Sequence, residues 1–275
     1  MQLSIITINY NNLAGLKKTA ESVLAQTWRD FEWIIIDGGS TDGSKEYISN
    51  LNSRSAGTDA CLSKNPNANI TYWCSEPDKG VYNAMNKGIA KANGEYLNFM
   101  NSGDCFASSD VLEKVFDGTH TADILYGYMM RKTIDGIPNN ASMMKPKVYW
   151  YDFYSDTFPH QSSFIRKRLF EKLGYYDESY KALADWKFFI KAMVYNDTSC
   201  EFIPEKLSIY ECGGISDLNT GLIECARLRK EMFPTNVEND IILIKDSMEY
   251  ARIKKHFLLR KALGLLRRLS IKLDR

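Results

Sequence analysis

The sequence predicts an α/β protein with a doubly wound, mostly parallel sheet flanked by helices, and three observations carry that prediction. Strand-like and helix-like segments alternate through the first hundred residues with short links, which makes parallel βαβ units. The early strands are short runs of β-branched and apolar residues, the pattern of strands buried on both faces. A carboxylate follows each of three predicted strands, at Asp37, Asp78 and Asp104. In an open α/β sheet the ligand crevice lies outside the carboxyl ends of the strands, so these three carboxylates are expected to share one rim.

Taken in order, residues 3–9 are a buried strand, and Asn9-Tyr10-Asn11-Asn12 breaks it. Leu13 to Ala25 has Leu13, Leu16, Ala20, Val23 and Leu24 at helical spacing. Phe31 to Ile36 is a second strand ending at Asp37. The run Asp37-Gly38-Gly39-Ser40-Thr41-Asp42-Gly43-Ser44 allows tight turns, and Thr41 or Asp42 is placed to cap a helix reaching about Leu51. Residues 52–69, rich in Asn, Ser, Gly and Pro, suggest a surface loop. Ile70 to Cys74 is the third strand, Val81 to Ala92 a helix, and Glu95 to Met100 the fourth strand.

Beyond Asp104 the pattern is mixed. Ser108 or Ser109 is placed to cap a helix through Phe116. Ile124 to Lys132 and Val148 to Phe153 look extended, with a turn at Pro138-Asn139-Asn140. Pro159 to Ile165 is predicted as a strand, Lys167 to Leu173 as a helix ended by Gly174, and Asp185 to Tyr195 as a helix. Phe202 to Tyr210 is extended, and Leu218 to Phe233 is helical before Pro234.

The bulk numbers exclude several classes. The chain has 275 residues, 44% hydrophobic and 25% charged, with a net charge of +1, so nothing global suggests a nucleic-acid partner. No apolar run approaches the ~20 residues needed to span a bilayer. Met1 leads into a strand rather than a basic region and an apolar core, so no signal peptide and a cytoplasmic location are expected. Six scattered cysteines form no C-x-x-C pair and suggest reduced structural thiols. His120, His160 and His256 have no metal-ligand spacing. The tail differs: in 252–275, Leu258, Leu259, Ala262, Leu263, Leu266, Leu269 and Leu273 fall on one helical face, and Arg260, Lys261, Arg267 and Arg268 on the other. That is a basic amphipathic helix, suited to a membrane surface, to its own domain or to a second copy of the chain in a homodimer.

At this point the residues carry a resemblance. Thr7-x-Asn9 at a strand end, DGGSTDGS at 37–44, SEPDKGVYNAMNKGI at 75–89, NSGD at 101–104 and Ala184-Asp185-Trp186 together resemble the family 2 glycosyltransferases, and within them the colanic-acid-type exopolysaccharide transferases. The likeness covers roughly residues 3–216, and the 75–89 block is its most specific part.

The resemblance implies a Rossmann-like GT-A fold over 1–234, with a nucleotide-sugar-binding half at 1–104, an acceptor-binding half at 105–234, and a helical extension at 235–275. It implies inverting transfer from a nucleoside-diphosphate sugar, a UDP-linked one being expected, to a saccharide or lipid-linked saccharide in surface polysaccharide biosynthesis. Carried over by position, Thr7, Asn9 and Asp37 hold base and ribose, Asp78 supports the nucleotide, and Gly80, Asn86 and Lys87 shape the donor pocket. The family's Asp-x-Asp metal motif is Ser102-Gly103-Asp104 here, so Ser102 stands on the donor side and Asp104 alone is left to hold Mg²⁺ or Mn²⁺. Asp185 matches the second residue of the family's helix-start pair and is the expected base, since an acceptor hydroxyl needs one. Trp150 and Trp186 have two readings, stacking on sugar faces and, the favoured one, packing in the core, and His160-Gln161 matches a position on the acceptor side.

Two rivals stand beside this. A sugar-nucleotide nucleotidyltransferase would want a Gly-rich, basic phosphate loop after the first strand, where this chain has Asn9-Tyr10-Asn11-Asn12-Leu13. A catalytically silent nucleotide-sugar-binding subunit would account for the substituted first Asp and for the absence of a Glu before Asp185.

Overall fold

The structure, a computed structural model, describes residues 1–55, 70–132, 138–139, 145–211 and 219–255. The chain forms two compact units, Met1–Leu228 and Arg229–Arg275. The first begins β1 (Leu3–Asn9), α1 (Leu13–Leu24), β2 (Phe31–Asp37), α2 (Ser44–Ser55), β3 (Ile70–Ser75), α3 (Val81–Lys91) and β4 (Tyr96–Phe99). It continues through β5 (Cys105–Phe106), α4 (Val111–Phe116), β6 (Ile124–Lys132), β7 (Pro138–Asn139), β8 (Ser163–Arg166), α5 (Lys167–Leu173), α6 (Ala184–Tyr195) and β9 (Cys200–Glu211) into α7 (Asn219–Met232), whose residues up to Leu228 belong to it. The second unit contains α8 (Thr235–Lys255).

The sheet runs β3-β2-β1-β4-β8-β6-β9-β5, with β7 paired to β6. β1 lies parallel to both β2 and β4, and β2 parallel to β3. The order therefore reverses between β1 and β4, which opens a crevice at the carboxyl ends of those strands. Every residue of β1, β2 and β4 is buried, as expected where helices cover both faces. α1 turns Leu16, Ala20 and Val23 inward, and its first turn is capped by Asn12, whose side-chain oxygen accepts from the Gly15 amide. α3 approaches β1 at Gly88, where a methyl group would collide with Ile6. The second half is mixed: β8 is antiparallel to β4 and β6, while β6 and β9 are parallel with register shifts around Tyr128.

Several expectations are corrected. Val148–Phe153 is not extended: Trp150–Tyr154 is a 3₁₀ turn, closed by Asp152, whose carboxylate accepts from the Tyr149 amide at 2.8 Å. Pro138 and Asn139 pair with β6 as a strand instead of turning. In the segment 159–165 the strand starts only at Ser163, because His160–Ser162 form a 3₁₀ turn. α4 starts at Val111 after Asp110, and Ser108 spends its hydroxyl on the Asp110 carboxylate. α2 runs on to Ser55, beyond the expected Leu51, and the rest of the 52–69 loop lies outside the described residues. Trp150 is 42% exposed and so is not a core residue, whereas Trp186 is buried and donates its indole N–H to the Phe153 carbonyl at 2.8 Å.

From residue 256 onward the predicted amphipathic tail lies outside the described residues. Among the described residues no helix is long and apolar enough to cross a membrane.

Candidate active site

The first wall of the crevice is a set of strand ends in register. Asn9, Asp37 and Ser75 are neighbours across β1, β2 and β3. That register delivers two donors to the buried Asp37 carboxylate, Asn9 Nδ2 at 2.7 Å and Ser75 Oγ at 2.6 Å, and the turn after β2 adds two more, Ser40 Oγ at 2.6 Å and Ser40 N at 2.9 Å. Burial alone would raise the Asp37 carboxyl, but the hydrogen bonds from Ser40, Ser75 and Asn9 outweigh it and hold it below the ordinary Asp value. Thr7 is buried one turn of the pleat below and accepts the Trp33 indole N–H at 2.9 Å. The side-chain oxygen of Asn9 is buried with no protein partner. Asp78 lies beside Gly38, where a Cβ would come within 2.6 Å of its Oδ2. Its other oxygen accepts from the Gly80 amide, and Lys87 reaches back to Glu76 at 2.8 Å. Asp42 serves two helix starts, accepting from Leu13 N and Ser44 N.

The second wall is the turn Asn101–Asp104. The Thr19 hydroxyl, from α1, lies within hydrogen-bond distance of the Asn101 and Asp104 carbonyls and accepts from the Gly103 amide. Gly103 has φ 109°, a left-handed conformation that favours glycine. Asp104 then accepts from Gln161 Nε2 at 2.9 Å. Gln161 sits in the 160–162 turn, which the buried Asn98 of β4 holds by donating to the Gln161 and Ser163 carbonyls.

The same turn reaches the expected base. His160 Nδ1 lies 2.9 Å from Asp185 Oδ2, and His160 Nε2 lies 3.1 Å from Asn101 Nδ2. An Nδ1–H tautomer satisfies both contacts, donating to the carboxylate and accepting from the amide. Asp185 Oδ1 accepts the Tyr82 hydroxyl at 2.8 Å and the Trp186 amide at 2.9 Å. Burial, and after it the Asp185 charge, pushes the Tyr82 phenol well above 10, so Tyr82 stays a donor. Asp185 is thus oriented by groups from α3 and from the 160–162 turn.

Among the described residues no group of three or more His, Cys, Asp and Glu side chains converges to hold a metal. The turn that carries Asp104 also holds two oxygens, Asn101 Oδ1 and Ser102 Oγ, that are buried with no hydrogen-bond partner. An all-oxygen set with one carboxylate fits a hard cation that takes its remaining ligands from a diphosphate.

The profile of "Glycosyl transferase family 2" matches residues 4–174, more than half of the chain. The chain belongs to glycosyltransferase family 2. An uncharacterized glycosyltransferase of Mycobacterium tuberculosis is 34% identical over 194 residues, 69% of this chain and 68% of that one. A PGL/p-HBAD biosynthesis glycosyltransferase of Mycobacterium bovis is 29% identical over 218 residues, 78% of each. Staphylococcus aureus TarS 1-349 in complex with UDP-GlcNAc is similar in structure, with TM-score 0.60 and 18% identity over 78% of this chain and 59% of that one. The mannosyltransferase PcManGT from Pyrobaculum calidifontis, in complex with GDP-Man and Mn²⁺, gives TM-score 0.58 and 14% identity over 98% of this chain and 80% of its own. The transferase spans less than two thirds of that TarS chain. The fold is GT-A.

The transferase brings Asp104 and Asp185 to adjacent residues of one turn, and Asn9, Asp37 and Asp78 to the neighbouring strand ends. Asn86 sits apart from both groups. It donates to the Tyr176 carbonyl and to Glu178 while accepting the Tyr176 amide, so it fixes the segment leading to α6. Asn83 holds the other oxygen of Glu178. Sequence reasoning missed Tyr82 and Asn101 as site residues. Both lie inside the quoted motifs, and nothing local marks Tyr82 as the partner of a carboxylate 103 positions away.

Asp177, in the same segment, pairs with the buried Lys187 at 2.6 Å. Burial works to raise the Asp177 carboxyl, but bonds from Lys187 and Ser179 and the Lys187 charge bring it down to about 2. Because the folded value is depressed from 3.8, the stabilisation is complete above that pH and is lost as pH falls through about 2. Asp177→Asn is expected to cost roughly 1–2 kcal/mol near pH 6, allowing for the partial exposure of Asp177. Denaturant titrations should show that gap closing between pH 4 and pH 2, and a gap that does not depend on pH would sink this assignment.

Proposed function

We propose that the transferase moves a sugar, with inversion, from a nucleoside-diphosphate sugar to a saccharide or lipid-linked saccharide acceptor. The observation that carries this reading is the Asp185 carboxylate, held at its two oxygens by Tyr82 and His160 and set one residue along the 160–162 turn from the group that binds Asp104. A buried carboxylate fixed this way is suited to take one proton in one direction. The acceptor oxygen forms its bond to the anomeric carbon as its proton passes to Asp185. The bond from that carbon to the diphosphate oxygen breaks, and its electron pair leaves with the nucleoside diphosphate. One displacement of this kind inverts the anomeric centre.

Asp78, Gly80 and Lys87 edge the donor crevice, and Asn9 offers it a buried oxygen with no protein partner. Thr7 and Asp37 form the floor beneath: their contacts run to Trp33, Asn9, Ser40 and Ser75, which fixes the height at which base and ribose sit. Asp104 is the residue that would hold Mg²⁺ or Mn²⁺, with Ser102 and Asn101 in the same turn. When bound, such an ion supplies positive charge at the leaving diphosphate. A UDP-linked donor and a role in exopolysaccharide assembly rest on the likeness of the 75–89 block to colanic-acid-type transferases. The basic, leucine-rich 252–275 pattern supports a cytoplasmic enzyme working at a membrane surface on a lipid-linked acceptor.

A thermal-shift screen of UDP-, GDP- and dTDP-sugars with Mn²⁺ is expected to single out a UDP-sugar, because a ligand bound only to the folded state raises Tm. Proton NMR of the product should then show the anomeric configuration opposite to the donor's. Retained configuration would overturn the mechanism.

A further inference from the structure

We infer that α7 is part of the catalytic apparatus, with Glu224 as a positioning residue for Asp185; the inference rests on the reading of Asp185 as the base. Glu224 is buried, yet its carboxylate meets no cation among the contacts described. It accepts three successive backbone amides instead: Lys181 N at 2.6 Å, Ala182 N at 2.9 Å and Leu183 N at 3.2 Å. Successive amides pointing the same way make an anion-binding concavity. Here the chain fills that concavity with its own carboxylate, brought from 41 to 43 positions away.

The place of this contact gives it its consequence. Leu183 is the residue before α6, and α6 has no side-chain cap of its own. Asp185 is the second residue of that helix. Upstream, α3 fixes Tyr176 and Glu178 through Asn86 and Asn83. Between those anchors and the helix, Arg227 of α7 donates to the Ser179 carbonyl and hydroxyl and lies 4.2 Å from the centre of the Tyr180 ring. Without Glu224 the last three residues before α6 lose the carboxylate that sets the direction in which the chain enters the helix. Tyr82 and His160 would then meet a displaced carboxylate. The family profile ends at residue 174, so the base and its clamp both lie in the part of the chain that profile leaves uncovered.

A misplacement of about 1 Å can cost on the order of 10²-fold in rate. Glu224→Ala is therefore expected to lower kcat for UDP-sugar turnover by about that factor, while the Kd for UDP stays within about twofold. Glu224→Gln keeps one acceptor oxygen and should fall between Ala and wild type. If Glu224→Ala does not fold, the Gln variant carries the test, with circular dichroism confirming its fold. The decisive measurement is the double variant with Asp185→Asn. Acting through Asp185, the Glu224 substitution should cost less than about twofold in that background. Equal losses in both backgrounds, or a normal kcat in the Glu224 variants while Asp185→Asn is impaired, would overturn the inference and leave the base assignment standing. A normal kcat in Asp185→Asn itself would overturn both.

Discussion

Replacing Asp185 with Asn is expected to lower kcat by roughly 10²–10⁴-fold, the contribution of a positioned acid–base group, and to leave UDP affinity near normal. The substitution preserves shape. Asparagine still offers one oxygen to the Tyr82 hydroxyl and the Trp186 amide, which now share Oδ1. It cannot accept the acceptor's proton, and its amide group faces His160 where a carboxylate oxygen stood. The expected signature is therefore a loss in kcat with little change in nucleotide Kd, measured by coupled diphosphate release and by calorimetry. Near-normal kcat would move the base elsewhere. Asp177 and Glu178 are poor replacements, since one is paired with Lys187 and the other is held by Asn83 and Asn86. His160 would be the next group to test.

Asp104→Asn is the second large effect. It removes the charge from the only carboxylate in the 101–104 turn while keeping an oxygen for Gln161. A cation held beside the diphosphate offsets its charge, so a gain in UDP affinity is expected when Mn²⁺ is added to wild type. In Asp104→Asn the gain should disappear, so that UDP binds equally with Mn²⁺ and with EDTA, and turnover should fall with it. If Mn²⁺ still tightens UDP binding in the variant, or if wild-type turnover is indifferent to EDTA, the metal role of Asp104 is lost.

The parallel core was legible because β1, β2 and β4 are buried on both faces and therefore carry mostly apolar runs, interrupted only by Ser4, Thr7, Glu32 and Asn98 between their ends. The 148–153 stretch misled for a related reason. Val148, Tyr149, Trp150, Tyr151 and Phe153 all favour extended backbone, and the single Asp152 that turns the chain is outvoted in any local count. The site divided in the same way. Carboxylates at strand ends could be named from local pattern, since strand ends are local features. What each one touches could not. Two of the four donors on Asp37, Asn9 and Ser75, depend on the register of three strands, and the Tyr82–Asp185 contact depends on where α6 docks. Glu224 gave no signal at all, because a Glu in the middle of a charged helix looks like any other solvated residue.

The 160–162 turn has a consequence for recombining this protein with its relatives. Residue 104 looks like a natural crossover, with donor-side motifs before it and variable acceptor-side sequence after it. In space the join is elsewhere: Asn98 holds the turn's backbone, Asn101 meets His160, Asp104 meets Gln161, and β8 pairs with β4. A chimera cut at 104 would therefore set Asn98, Asn101 and Asp104 of one parent against a 160–162 turn fitted to the other. Segments exchanged with a relative should therefore leave 159–166 with the parent that supplies residues 98–104, and should keep Asp185 with its partners Tyr82 and His160.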